Sequence, residues 1–165
     1  MRNTYLTVIS KTALMCLMLL SSACFEEGDY ASAYQNGDYE RSLYLLKKQA
    51  ASNPDAYVYN LLGVHHELGL ATRRDYDEAF KWYQQAALED LPEAQLNLAR
   101  MIENGRGTTA DPVFAYGWYW AAFHAGHQSA LPFVQNLSGQ LYPHLIDVAR
   151  QQVGEILGKD LTVVN

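Results

Sequence analysis

The histidines are the first residues in this chain whose types and spacing could do chemistry. His65 and His66 adjoin Glu67, and His124 and His127 stand three apart. Such residues could supply a metal site or an acid–base pair. Neighbours on a helix point about 100° apart, so His65 and His66 do not grip one ion together. His124 and His127 share a helix face, yet no third ligand follows at a zinc-like spacing. The sequence contains no Gly-x-Ser-x-Gly, no His-Glu-x-x-His and no phosphate loop. Carboxylate pairs such as Asp77-Glu78 and Glu89-Asp90 read as capping or solvated charge. The reading is therefore of no catalytic residue, no metal site and no cofactor. Trp82 and Trp118 could be ligand platforms, but they read as packing residues between helices.

Cys24 carries a different chemistry, acylation. Arg2 and Lys11 give the N-terminus positive charge, and 12–20 is an uncharged, mostly apolar run. That run is short of the ~20 apolar residues a bilayer span needs. It fits the ~7–15 residues of a signal-peptide apolar region. Ser21, Ser22 and Ala23 follow and end at Cys24. This stretch resembles a bacterial lipobox, in which the cysteine is lipidated and becomes the new N-terminus. It departs from that pattern at Ser21, where leucine is usual, and the leucine stands at Leu20. The alternative is an ordinary cleaved signal peptide with a chance cysteine. Cys16 would leave with residues 1–23, so Cys24 would have no disulfide partner. A leftover thiol in an exported protein needs an explanation, and acylation supplies one. Several acyl chains, at about 0.8 kcal/mol per buried CH₂, anchor a protein stably. By resemblance to enteric lipoproteins, Phe25 implies sorting to the outer membrane, facing the periplasm.

Charge narrows the partners. Twelve basic residues stand against eighteen acidic ones, a net −6. Loss of Arg2 and Lys11 would leave ten against eighteen, a net −8. Nucleic-acid binding rests on Lys and Arg neutralising phosphates, and no basic cluster is present. Adhesion to an anionic membrane surface by charge is excluded on the same ground.

The elements that must position these residues are written in a pattern that occurs twice. Leu62, Gly69, Asp75, Ala79, Trp82, Tyr83 and Ala86 recur 36 residues later as Leu98, Gly105, Asp111, Ala115, Trp118, Tyr119 and Ala122. Self-similarity at a period of about 20–50 residues marks stacked helical units. The periodicity predicts helices over 26–36, 39–51, 56–68, 76–89 and 92–104, one from Pro112 to near residue 126, and one over 143–157. Gly69 suits a helix C-cap, and Asp75 and Asp111 suit N-caps. Gly63, Ala79, Ala86, Ala99, Ala115 and Ala122 are small enough for close helix approach. Leu145, Val148, Ala149, Val153, Ile156 and Leu157 form the apolar stripe of a capping helix, and 161–165 reads as a loose tail. The organisation is a signal segment (1–23), a tetratricopeptide-like first unit (24–55), two repeats (56–91 and 92–127), then a partial repeat, capping helix and tail (128–165).

The pattern from Leu62 to Ala87, Leu-Gly-x₅-Gly followed by Asp-Tyr-x₂-Ala-x₂-Trp-Tyr-x₂-Ala-Ala, resembles the Sel1-like repeat, a relative of the tetratricopeptide repeat. The second copy matches with Ala99 for the first glycine and Phe123 for the last alanine. Ala71 stands where the family's second loop glycine would be, so that loop is expected to differ. The resemblance covers roughly 56–137. It implies an all-α, right-handed solenoid of antiparallel helix pairs that binds a protein or peptide partner and does not catalyse. In related solenoids the first helix of each pair, helix A, lines the concave face. Partner-binding residues are then expected at Tyr57, Asn60, Val64, Glu67, Glu93, Leu96, Arg100 and Glu103. Acidic residues dominate that set, which suits a basic or amide-rich segment. The expected role is a membrane-anchored scaffold of the bacterial cell envelope. The alternatives are an assembly lipoprotein for secretin or outer-membrane machinery, and an accessory factor of a periplasmic or wall-modifying enzyme. In the enzyme reading His66 or His124 would carry the activity.

Overall fold

Helix boundaries follow the capping residues. Asp55, Asp75 and Asp111 accept hydrogen bonds from the backbone N–H three residues on, at 2.9, 3.0 and 2.9 Å. Each removes one free donor from a first helical turn. Gly69 and Gly105 close their helices in the left-handed conformation, at φ 71° and 64°. The computed structural model describes residues 30–162, and among these every regular element is helical. The expected signal segment (1–23) and Cys24 lie outside the described residues.

The chain divides into two units, Met1–Leu45 and Leu46–Asn165. In the first, α1 (Tyr30–Gln35) turns at Gly37 into α2 (Tyr39–Ser52), which continues into the second. Asp38 accepts from the Arg41 N–H at 3.1 Å, and the Tyr34 and Tyr39 rings meet edge-on.

The second unit stacks helix pairs in the manner of a solenoid. It contains α3 (Ala56–Leu68), α4 (Tyr76–Leu88), α5 (Pro92–Asn104) and α6 (Pro112–His124). A 3₁₀ turn (Gln128–Ala130), α7 (Leu131–Ser138) and α8 (Pro143–Leu157) follow. α3 pairs with α4 and α5 with α6, while α4 packs on α5. Gly63, Ala79, Ala86, Ala99, Ala115 and Ala122 are all buried at these seams. At Gly63 an added Cβ would stand 2.6 Å from the Tyr83 ring, so α3 and α4 approach as closely as glycine permits.

α6 is the centre of this unit. Every residue from Ala115 to Ala122 is buried. A helix apolar all round needs cover on all sides, and α5, α7 and α8 give it. α8 closes the outer face of α6. Arg150 lies 3.9 Å over the Trp120 ring and donates to the Tyr116 hydroxyl at 2.9 Å. Only part of the expected α8 stripe faces inward: Ala149 and Val153 are buried, whereas Val148 and Ile156 are exposed. The expected loose tail fails at its first residue. Leu161 is buried, and its carbonyl accepts from the Trp120 Nε1–H at 2.8 Å.

The two repeat tryptophans both pack between helices but differ in cover, and the expectation at Ala71 is corrected. Trp118 is 2 % exposed, but Trp82 is only half-buried and stacks on the Tyr59 ring at 5.6 Å. Their positions are equivalent, but α7 and α8 pack on α6, whereas α4 lies between α3 and α5. The Ala71 loop does not depart from its partner at the residue in question. Ala71 takes φ 55°, as Gly107 takes 69° thirty-six residues on. The repeat geometry imposes the left-handed conformation even on an alanine that disfavours it.

Candidate functional site

Each helix A shows solvent a line of residues at 3.6-residue periodicity. On α3 the line is Tyr57, Leu61, Val64 and Leu68; on α5 it is Glu93, Asn97, Arg100 and Asn104. Tyr57 is 63 % and Leu68 52 % exposed, large values for residues of this type. Glu93, Arg100 and Asn104 are also exposed. The Asn97 Nδ2 donates to Asn60 Oδ1 at 3.1 Å, tying the two helices side by side.

The expected binding set is divided by this geometry. Tyr57, Glu93 and Arg100 stand on the open face. Val64 and Leu96 are half-buried and pack against the core. Asn60 is 2 % exposed and is withdrawn from the face. Three residues along a helix is a rotation of about 300°, which turns Asn60 some 60° away from the line through Tyr57.

Glu67 and Glu103 are turned the same way, and the structure gives them a shared role. Glu67 Oε2 accepts from the Tyr83 hydroxyl at 2.8 Å, and Glu103 Oε2 from the Tyr119 hydroxyl at 2.6 Å. Donors and acceptors both repeat at the offset of 36, so this is an A-to-B tie built once per repeat. Burial, reinforced by the bond to Glu103, raises the Tyr119 pKa and keeps the hydroxyl protonated. Glu67 also meets Arg106 at 3.4 Å, and Arg106 lies 5.5 Å over the Tyr76 ring. The loop of the second repeat is thereby fastened to the first.

An open cleft of about 260 Å³ lies at the N-terminal ends of α3 and α5, with Tyr57, Pro92, Glu93, Gly126 and His127 among its walls. Tyr57 and Glu93 are the second residues of successive A helices, 36 apart. His127 drew notice only as a metal or acid–base candidate, and Pro92 and Gly126 gave no binding signal in the sequence, because turn residues between repeats look like punctuation. The same holds for Leu68, Asn97 and Asn104, which the repeat register alone could have revealed.

The histidines do not gather. Among the described residues no three His, Cys, Asp or Glu side chains could hold a metal ion together. His65 is fully buried, with Nδ1 at 2.9 Å from the Leu70 carbonyl, and His66 is half-buried. Of this adjacent pair, His65 is the one packed into the core. His124 is exposed, its ring 5.5 Å from that of Trp120.

Burial lowers the His65 pKa, and repulsion from His66 and Lys47 adds to that against the bond to Leu70. The folded state therefore resists the proton that the unfolded state accepts near pH 6.5. Stability should be level above that pH and fall as pH drops through it towards the folded value. The slope is at most about 1.4 kcal/mol per pH unit for one proton. Urea melts between pH 7.5 and 5.5 should show that loss in the wild type and a smaller one in His65→Gln. Equal slopes would mean that His65 does not titrate with folding.

Comparison with known proteins adds to this geometry. The Sel1 repeat family model matches residues 15–53, 56–91 and 92–127. The chitin synthase regulator SKT5 of Saccharomyces cerevisiae is 32 % identical over 95 residues, covering 56 % of this chain and 14 % of that protein. The crystal structure of c5321, a protective antigen of uropathogenic Escherichia coli with an SLR fold, superposes with a TM-score of 0.73. Its identity is 18 %, over 82 % of this chain and 30 % of that one, and the likeness concerns the fold alone. A Sel1 repeat protein from Oxalobacter formigenes superposes with a TM-score of 0.62 at 25 % identity, over 77 % of this chain and 54 % of that one. The chain thus spans less than two thirds of the length of each.

Proposed function

We propose a scaffold role, and its premise is that this chain belongs to the Sel1 repeat family. The protein is a non-catalytic interaction module of a bacterial cell envelope, held at the outer membrane through acylated Cys24 and facing the periplasm. Its helix-A face takes a protein or peptide partner. The observation that carries this reading is the exposure of Tyr57, Leu68, Glu93 and Arg100 on that face, where packing does not require those residue types. Exposed aromatic and arginine side chains are the usual anchors of protein interfaces. Val64, Leu96 and Asn97 form the floor between them; Asn60, Glu67 and Glu103 support the helices beneath. SKT5 is by its name a regulator of an enzyme, which favours a second reading within the same class. In that reading the captured partner is a wall-modifying enzyme.

One experiment tests both anchor and face: capture from envelope membranes by the full chain with its acyl chains retained. Cys24→Ser should leave the membrane pellet and appear in the soluble periplasm. Tyr57→Ala combined with Arg100→Glu should stay in the pellet and lose its partner, with an unchanged thermal melt. A Cys24→Ser variant that fractionates as the wild type does, with no loss of acyl mass, removes the lipoprotein reading. A folded double variant that still captures its partner fully removes the helix-A reading.

A further inference from the structure

The cleft between Tyr57 and Glu93 has a chemistry more specific than that of the face around it. The two residues occupy the same position in successive repeats, yet one is an aromatic and the other an acid. Neither is needed for packing, since both are exposed. Neighbouring helices stand about 8–10 Å apart. A flat cation entering between them can therefore meet a ring on one side and a carboxylate on the other. The third wall is the turn after α6, where Gly126 has open space around its Cα and brings His127 into the lining. The His127 Nδ1 is buried with no hydrogen-bond partner among the described residues. With its proton on Nε2, that nitrogen is an acceptor.

We propose that this cleft is a pocket for one arginine side chain of the bound partner, the guanidinium lying on the Tyr57 ring and paired with the Glu93 carboxylate. The proposal deepens the scaffold reading and rests on it. About 260 Å³ is below the ~300–1,000 Å³ of small-molecule sites, and so suits a side chain. Arginine fits better than lysine because its planar fork stacks on aromatics and pairs with a carboxylate through two bonds. No ion pair to Glu93 is present among the described residues, so its carboxylate is available. The net charge of −6 favours approach by a basic segment. The N-terminus of α5 borders the same cleft and by itself favours anions, but the Glu93 carboxylate opposes them there.

The test is an NMR titration of the full chain in a zwitterionic detergent with N-acetyl-arginine methylamide. The lysine, glutamate and leucine analogues serve as parallel probes. The expected result is saturable shifts at Tyr57, Glu93, Gly126 and His127 with the arginine probe, weaker ones with lysine, and none with glutamate or leucine. Glu93→Gln should weaken the arginine response about fivefold, the upper end for an exposed ion pair. Tyr57→Leu should weaken it similarly, with both variants melting as the wild type does. No saturable response to arginine, or an equal response to glutamate or leucine, overturns the pocket. The scaffold reading fails separately, by partner capture that survives the Tyr57→Ala, Arg100→Glu variant.

Discussion

Gly107→Ala should destabilise the protein by about 2–5 kcal/mol, among the largest effects available from adding one methyl group. Two costs combine. Gly107 sits at φ 69°, and a left-handed backbone costs an alanine about 1–2 kcal/mol. The new Cβ would also stand 2.2 Å from the Tyr76 carbonyl oxygen and 3.0 Å from Phe80 Cβ, both on α4 of the preceding repeat. A carbonyl in the first turn of a helix cannot step aside cheaply, and overpacking of this kind costs roughly 1–3 kcal/mol. The loop would have to lift, taking with it the Arg106 contacts to Glu67 and Tyr76. Ala71→Gly makes the matching control with the opposite sign. Ala71 bears the same conformational cost at φ 55° and is exposed, so its replacement should stabilise by up to about 1 kcal/mol. Urea melts of the two variants check both signs. A neutral Gly107→Ala would mean that the loop is not docked on α4.

The fold was legible because its signals are local and repeated. Asp75, Asp111, Gly69 and Gly105 each announce a helix end by a mechanism that needs no distant partner, and the offset of 36 then stacks the pairs. The hidden part depends on which faces are covered. The outer face of α4 carries Lys81, Gln84 and Gln85; at the same positions α6 carries Gly117, Trp120 and Ala121. That switch from long polar to small or aromatic residues marks the seat of α8, where a Cβ at Gly117 would meet the Ala149 carbonyl at 2.5 Å. Read as a difference between the repeats, it would also have shown that a further element covers this face of α6. The candidate site was legible only in part for a related reason. Helical periodicity finds a face to within about 60°, and Asn60, Glu67 and Glu103 lie within that error but belong to the ties beneath the surface. A carboxylate on helix A three turns along reads as exposed charge until the tyrosine hydroxyl above it is placed.

The same difference in cover predicts unequal effects from two tryptophans that the repeat makes equivalent. Trp118→Ala should cost about 3–5 kcal/mol, the range for a large aromatic removed from a closed core. The indole is 2 % exposed, in edge contact with Phe114, and part of a helix enclosed by α5, α7 and α8. Little around it can collapse into the cavity, because Ala115, Ala121 and Ala122 are already at close helix approach. Trp82→Ala should cost about 1–2 kcal/mol, reflecting partial burial and one stacked contact with Tyr59. The part of the ring that already faces solvent leaves no closed cavity, so the cavity penalty is smaller than at Trp118. Chemical melts of the two variants, compared at equal m-values, measure the gap directly. Equal losses at the two positions would mean that α8 and α7 do not close over the second repeat. In a stack where each unit contacts only its neighbours, stability then depends less on the repeat motif than on the helices packed against its outer face. The shared Trp-Tyr pair sets the register, and the non-repeated C-terminal segment sets how much that register is worth.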